Sequence, residues 1–506
     1  MKQFFGRAFR DSLILAAVLY GVALLAYQSN FSGTLIIAMI LASALVAFKR
    51  LDRALYLAFL ELFIHPHGVL ITTTIGGFSL SLRMAIFLGI MLGWGIGLLV
   101  KRYKLSRKDL VEQPHFGLLI LAAAIGLIIG VLSRDPSLVF ADGNAYLFIL
   151  YLLPILSVDW TSRRRHELLQ VLAAGVIWVS SISIILLFVF SHMDGIILTP
   201  IYTIFRDLRI AEITALDSGL YRVFMQSHFY VMVFGLLVLS MVGTSVRLKW
   251  LLGLGALTFA IVLLSLSRSF WVGLIPAVIF VLWILWQKHQ PKKIQVAKYL
   301  GWVVFVKVAA VVGLVAIVLF PFPSQDLSGE DLIGSLRDRT TENDVAVTSR
   351  WNLLWPMLDK IVESPLVGHG FGSTVTFQTD DPRARAINPD GQWTTSSMEW
   401  GWLELWMKMG ILGPIAFLAI GWHMISRLWS YRWTDQSWLG TGLIAGVIFL
   451  FATHFFSPYL NHPIGIGYLL FLVPFLSHKK TATVQVEEFV PAPIEAVRSK
   501  ALASRQ

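Results

Sequence analysis

The sequence predicts an all-α polytopic membrane protein, and three observations carry that prediction. First, 56% of its 506 residues are hydrophobic and only 14% are charged, with a mean hydropathy of +0.71. A soluble domain carries about 25% charge. Second, the apolar residues fall in blocks of about 16–22, the length that crosses a hydrocarbon core as a helix. Third, the basic residues collect in short connections between those blocks, as expected of loops retained on the cytoplasmic side. Backbone groups in lipid must be satisfied within their own segment, so helices are the expected form. The dyad alternation of a membrane barrel is absent. The net charge of +11 is spread over loops and forms no nucleic-acid-binding stripe. With no cysteine, disulfides, thiolate chemistry and cysteine metal sites are excluded.

Taken in order, the apolar blocks give about fourteen spans, near 12–27, 34–48, 54–73, 84–100, 116–132, 145–158, 168–190, 226–243, 251–267, 270–286, 301–320, 404–424, 438–455 and 464–477. One set of connections is basic: Lys49–Arg53, Lys101–Lys104 with Arg107 and Lys108, Arg163–Arg165, Arg247 with Lys249, Lys292 and Lys293, Arg427 with Arg432, and Lys479 with Lys480. These alternate with poorly basic loops, which places the basic side and both termini in the cytoplasm. The first apolar run lacks a small-residue cleavage site and is expected to remain as a helix. The expected organisation is spans one to eleven over 1–320 with an outer loop near 191–225, a long outer loop over 321–403, three further spans over 404–478, and a polar tail over 479–506. Pro491, Pro493 and its polarity predict that the tail is disordered. In the long outer loop, Trp351, Leu354, Trp355 and Met357 recur at helical spacing and predict an amphipathic helix on the membrane surface. Trp393, Trp400, Trp402 and Trp406 mark the interface where the chain re-enters the bilayer.

Several polar groups on this outer side need a reason. Arg268 sits in Ser267-Arg268-Ser269 between two apolar runs with almost no loop; it is either an anion ligand or a snorkelling turn residue. Arg222 opens the eighth span and has the same two readings. Arg206 and Arg209, in the same loop, read as a solvated face. Arg350 opens the loop helix, Arg337 and Arg339 lie among acidic residues that suit ion pairs, and Arg83 ends the loop before the fourth span. Guanidinium groups keep their charge and fork onto phosphate oxygens, which is why arginines here point to an anionic substrate. Gly368-His369-Gly370-Phe371-Gly372 permits positive φ, and its histidine is either a base or a turn residue. Glu399 lies in the Trp-rich collar before an apolar run, where a carboxylate drawn out of water becomes a base near neutral pH; an exposed interfacial glutamate is the alternative. Glu404 follows as a second candidate, and Lys307 lies inside a span. His65-Pro66-His67 is a poor metal motif, because the proline keeps the histidines off one helical face and no further ligand is near. No metal or other cofactor is expected.

The Arg350-to-Gly372 block, the Ser267-Arg268-Ser269 turn and the Gly410-Ile411-Leu412-Gly413 element together resemble the O-antigen polymerase and O-antigen ligase superfamily, over roughly residues 215–415. The resemblance implies a GT-C-type membrane glycosyltransferase that uses undecaprenyl-pyrophosphate-linked oligosaccharide at the periplasmic face of the bacterial inner membrane. It implies Arg268 and Arg222 on the pyrophosphate, with Arg350 and Arg83 as further candidates, and Glu399 or His369 as the base. Membrane lipid is the implied surrounding, and a chain-length-regulating co-polymerase an implied partner. The ligases place a histidine, an amide or serine residue, and nine residues before Gly-x-x-Gly. Counting back from Gly410, those positions here hold Glu399 and Trp400. That departure favours the polymerase branch over a ligase. A lipid-linked glycan flippase would want polar residues deep in several spans and an internal repeat, neither of which the sequence carries.

Overall fold

The computed structural model describes residues 3–476 apart from 30, 76–77, 107–109, 217–219, 243, 245, 290–292, 323–344, 381 and 435. Arg337 and Arg339, Arg107 and Lys108, and the tail after Lys480 lie outside the described residues. Helix dominates the described chain, and nine helices are long and apolar enough to cross a membrane: Arg7–Tyr27, Ser32–Lys49, Leu82–Leu99, Pro114–Ser133, Pro136–Leu156, Ser162–His192, Leu248–Ser265, Arg268–Gln287 and Gly301–Leu319. His228–Ser240, Ser437–Thr453 and Pro463–Leu476 are apolar but shorter. These short helices are among the most enclosed. Every residue from Ile464 to Leu476 is buried, as are Phe229, Tyr230 and Phe234. A helix surrounded by other helices meets protein rather than lipid along its length, so span length does not bound it. The peripheral helices instead leave Ile14, Leu25, Leu41, Leu92 and Ile128 uncovered, apolar surface that suits lipid.

Two expected spans differ in form. The segment expected over 54–73 is helical only as Leu51–Ile64. His65 precedes Pro66 and takes an extended conformation (φ −135°, ψ 121°), since proline disfavours the α region for its predecessor. The segment expected over 404–424 is two helices, Gly401–Met409 and Leu412–Leu428, separated at Gly410, whose φ is +64°.

Three antiparallel hairpins join the helices: Thr72–Ile75 (β1) with Phe78–Ser81 (β2), Glu212–Ala215 (β3) with Tyr221–Phe224 (β4), and Val375–Gln378 (β5) with Gln392–Thr395 (β6). Three of the basic connections, 49–53, 101–104 and 163–165, meet at one end of the bundle. There Arg164 and Arg50 both reach Asp52, Arg53 reaches Glu167, and Arg102 donates to the Lys49 carbonyl.

The long loop has a small core of its own, formed by Leu353, Met357, Ile361, Val375, Met398 and Met407. Its helix Val345–Glu363 turns Leu353, Met357 and Ile361 inward. Trp351 and Trp355, expected on the same apolar face as Met357, lie on the opposite one at 56% and 70% exposure. The helix thus carries two apolar stripes, one for the loop core and one mostly exposed, on which Trp351 meets the edge of Trp400.

The glycine-rich segment joins that loop to the bundle. His369 N–H donates to the Met407 carbonyl (2.7 Å) and Gly370 N–H to Lys408 (3.1 Å), satisfying carbonyls that the end of Gly401–Met409 leaves without helical partners. Ile411 N–H returns to Pro365 and Phe371 N–H to Gly126. Such close backbone approach requires glycine. A Cβ on Gly368 would lie 2.4 Å from the Gly410 nitrogen, and one on Gly370 2.5 Å from the Gly130 nitrogen. Both glycines also hold φ near +80°.

Candidate functional site

The geometry that matters starts at the end of helix Leu248–Ser265. Leu266 takes a left-handed conformation (φ 45°) and reverses the chain, so that Arg268 opens the next helix, Arg268–His289. Trp271 N–H and Phe270 N–H turn back to the Ser267 carbonyl. The N-terminus of this helix presents N–H groups and the positive end of its dipole. Three hydroxyls crowd it: Ser267 Oγ lies 3.1 Å from Ser269 Oγ, and Ser457 Oγ donates to Ser269 Oγ at 3.0 Å.

Hairpin β3–β4 delivers Arg222 to the same place. Its Nε donates to the Ser265 carbonyl at 2.8 Å, and its guanidinium lies over the Phe224 ring, 4.8 Å from the centroid. Nη1 reaches Glu212 at 4.0 Å. The bond caps a free helix-terminal carbonyl, and it also sets a second guanidinium beside the Arg268 turn. Arg268 and Arg222, separated by 46 positions (268 − 222) in the chain, are thus brought together.

Arg350 and Glu399 form an ion pair with each other. Trp400 Nε1 donates to the Arg350 carbonyl (2.8 Å), and the Trp400 ring packs on Phe456, with centroids 5.5 Å apart. Phe456 is the neighbour of Ser457, whose Oγ bonds Ser269, so Trp400 connects this pair to the Arg268 turn through the loop after Thr453. Glu399 is 49% exposed. The Trp collar does not bury it, because Trp400 and Trp402 turn towards Phe456 and His454 rather than over the carboxylate.

His369 lies elsewhere. Its Nε2 donates to the Lys360 carbonyl (2.6 Å), with Glu363 at 3.8 Å. Its backbone is bonded to Met407, and the stretch of helix from Gly401 to Met407 sets it roughly 10 Å from the Glu399 end, at ~1.5 Å per residue. Glu399 and His369 therefore do not share one site. Arg83 is buried, and its donors are directed inward: Nε to Glu61 (2.8 Å), Nη2 to Glu61 and the His65 carbonyl, and Nη1 to the Pro66 carbonyl. His65 uses both ring nitrogens, accepting from Gly68 N–H and donating to the Leu208 carbonyl.

One group escaped the sequence reading, and one that it read as a solvated face has a further surrounding. Lys408, 3% exposed, bridges Glu404 (2.6 Å) and Asp142 (2.9 Å) and donates to the Ser396 carbonyl. The Glu404–Lys408 spacing of one helical turn was the visible half of this cluster; Asp142 gave no signal. Arg209 stands beside a cavity described below. His67 is pushed down to about 4, chiefly by burial and then by Arg209 and Arg83, and is neutral at pH 7.

Comparison with known proteins adds one finding. No curated protein and no solved structure matches the chain. The family model described as O-Antigen ligase (Wzy_C) matches residues 253–418, a region that holds Arg268, Arg350, His369 and Glu399 but not Arg222 or Arg83. Over residues 253–418 this all-α polytopic membrane protein is therefore similar to the O-antigen ligase family, consistent with the O-antigen ligase and polymerase superfamily.

Proposed function

We propose that the protein is a polysaccharide polymerase that transfers an undecaprenyl-pyrophosphate-linked glycan onto a sugar hydroxyl of an acceptor repeat unit at the periplasmic face. The observation that carries this reading is the bond from Arg222 to the Ser265 carbonyl, which seats its guanidinium at the turn where the serine-lined helix Arg268–His289 begins with a second arginine. Two arginines, a helix N-terminus and hydroxyl donors suit a diphosphate whose charge grows as its bond to the sugar breaks.

In this reaction the acceptor oxygen attacks the anomeric carbon of the donor sugar. The bond between that carbon and the phosphate oxygen breaks, and undecaprenyl pyrophosphate leaves with the electron pair. The hydroxyl proton passes to the Glu399 carboxylate, which Arg350 holds in place. Glu399 is preferred over His369 because its neighbour Trp400 packs on the loop that bonds the Arg268 turn, whereas His369 donates Nε2–H to the Lys360 carbonyl. The family domain supports glycosyltransferase chemistry on lipid-linked glycans. The polymerase branch rests on the carboxylate standing where the ligases keep a histidine.

The test is a deletion strain analysed by polysaccharide gel. Single-repeat product is the expected result. Long glycan retained on the carrier would instead identify a ligase, and an unchanged ladder would remove the function. Arg268→Ala and Glu399→Gln should each abolish long product with the protein still in the membrane.

A further inference from the structure

Next to Arg222 lies a cavity of about 720 Å³. Tyr202, Tyr221, Arg206, Arg209, Glu212 and Gln226 are among its walls. Its connection to the diphosphate cradle is direct. The Phe224 ring under the Arg222 guanidinium and the Glu212 carboxylate facing it both line this space. A sugar bonded to a diphosphate held by Arg222 has this volume beside it. Flat aromatic rings interleaved with amide, carboxylate and guanidinium groups suit a sugar, which offers apolar ring faces and hydroxyl edges.

The two arginines of the wall differ. Arg206 is neutralised by Asp207 at 2.9 Å and leans towards the Tyr202 ring. Arg209 is exposed and, among the described residues, makes no side-chain hydrogen bond and no ion pair. Its backbone is also unusual. Helix Gly195–Asp207 ends with Arg209 N–H bonded to Arg206 O and Ile210 N–H to Phe205 O, both at 2.9 Å. That is the Schellman arrangement, whose left-handed position glycine normally fills. Arg209 holds it at φ +50°. A long cation in a seat that favours glycine, aimed at a cavity and left unpaired, is explained by a ligand rather than by the fold.

We propose that this cavity is a sugar subsite for an acidic glycan, in which Arg209 receives the carboxylate of a uronic-acid-type residue. One unpaired guanidinium matches one negative charge, which favours a carboxylate over a doubly charged phosphate monoester. Neutral His67 on the same wall adds no charge. The inference rests on the reading that Arg222 and Arg268 hold the carrier's diphosphate.

The experiment uses the full chain in lipid nanodiscs at low ionic strength. A tetrasaccharide of glucuronic acid and N-acetylglucosamine is titrated against its carboxyl-reduced, neutral counterpart. The acidic sugar should bind about tenfold more tightly, the scale of one charge-assisted bond. Arg209→Gly should abolish that preference with thermal unfolding no lower than in the parent, since glycine accepts the left-handed conformation; Arg209→Gln should act likewise on binding. Equal affinity for the two sugars, no binding of either, or an undiminished preference in Arg209→Gly overturns the proposal. So does inorganic pyrophosphate binding that depends on Arg209 as strongly as on Arg268, because the cavity would then belong to the diphosphate. No glycosyl transfer is needed, so failure of the polymerase reading shows separately, as an unchanged polysaccharide ladder in Arg268→Ala.

Discussion

Replacing Arg83 by methionine separates a packing role from a substrate role. In the wild type, Arg83 makes two bonds to Glu61, at 2.8 and 3.2 Å, and donates to the carbonyls of Pro66 and His65. Glu61 is only 1% exposed. Arg83→Met leaves that carboxylate enclosed without its counter-charge and two carbonyls without donors. Breaking such a pair by removing one partner costs about 3–5 kcal/mol. At about 1.4 kcal/mol per decade, the folded-to-unfolded ratio falls by a factor of hundreds to thousands. Adding Glu61→Leu removes the stranded charge, so the double variant should regain more than half of the loss. The readouts are thermal unfolding of purified protein in detergent and long-chain glycan from the complemented deletion strain. The expected result is a steep stability loss in the single variant, partial recovery in the double, and glycan yield that follows folded protein. Arg83→Met with unchanged unfolding but no product would refute the reasoning, and would return Arg83 to the substrate.

Lys408→Met should be as damaging, on the order of 3–5 kcal/mol, because it strands Glu404 and Asp142 together; unfolding of Lys408→Met against the Lys408→Met, Glu404→Gln double variant checks it. Gly410→Ala should cut accumulation in the membrane severely, since its Cβ would fall 2.1 Å from the Leu366 carbonyl oxygen at φ +64°. Gly253→Ala, with nothing within 4 Å of the added carbon, should be neutral or stabilising by up to about 1 kcal/mol. Quantifying both proteins in isolated membranes compares them.

The helical segments were legible because lipid sets a minimum length and purity for an apolar block. The hairpins were missed because their strands are only four residues long, although Thr72-Thr73-Thr74-Ile75 before Gly76-Gly77 is a recognisable turn sequence. Arg222 and Arg268 were found as charges in the wrong company; their adjacency could not be read, since it depends on how β3–β4 lands on the end of another helix. The same limit hid the Arg83–Glu61 pair, although both ends were visible as charges at the edges of neighbouring apolar runs. The collar around Glu399 misled for a different reason. Tryptophan density announces an interface but not which neighbour each ring covers, so the carboxylate stays in contact with solvent. His369 showed its glycine flanks and nothing of the carbonyls they meet.

The clasp between residues 368–371 and the end of Gly401–Met409 has a consequence for how this architecture tolerates change. Those backbone bonds close off polar groups that would otherwise face an apolar environment. Additions between Pro365 and Phe371 would unseat that fastening and expose both partners at once. Additions between Gln378 and Gln392, beyond the far ends of β5 and β6, would only lengthen a solvent-side excursion. Variation in this loop thus has a free margin beyond the hairpin and a fixed seam at the clasp.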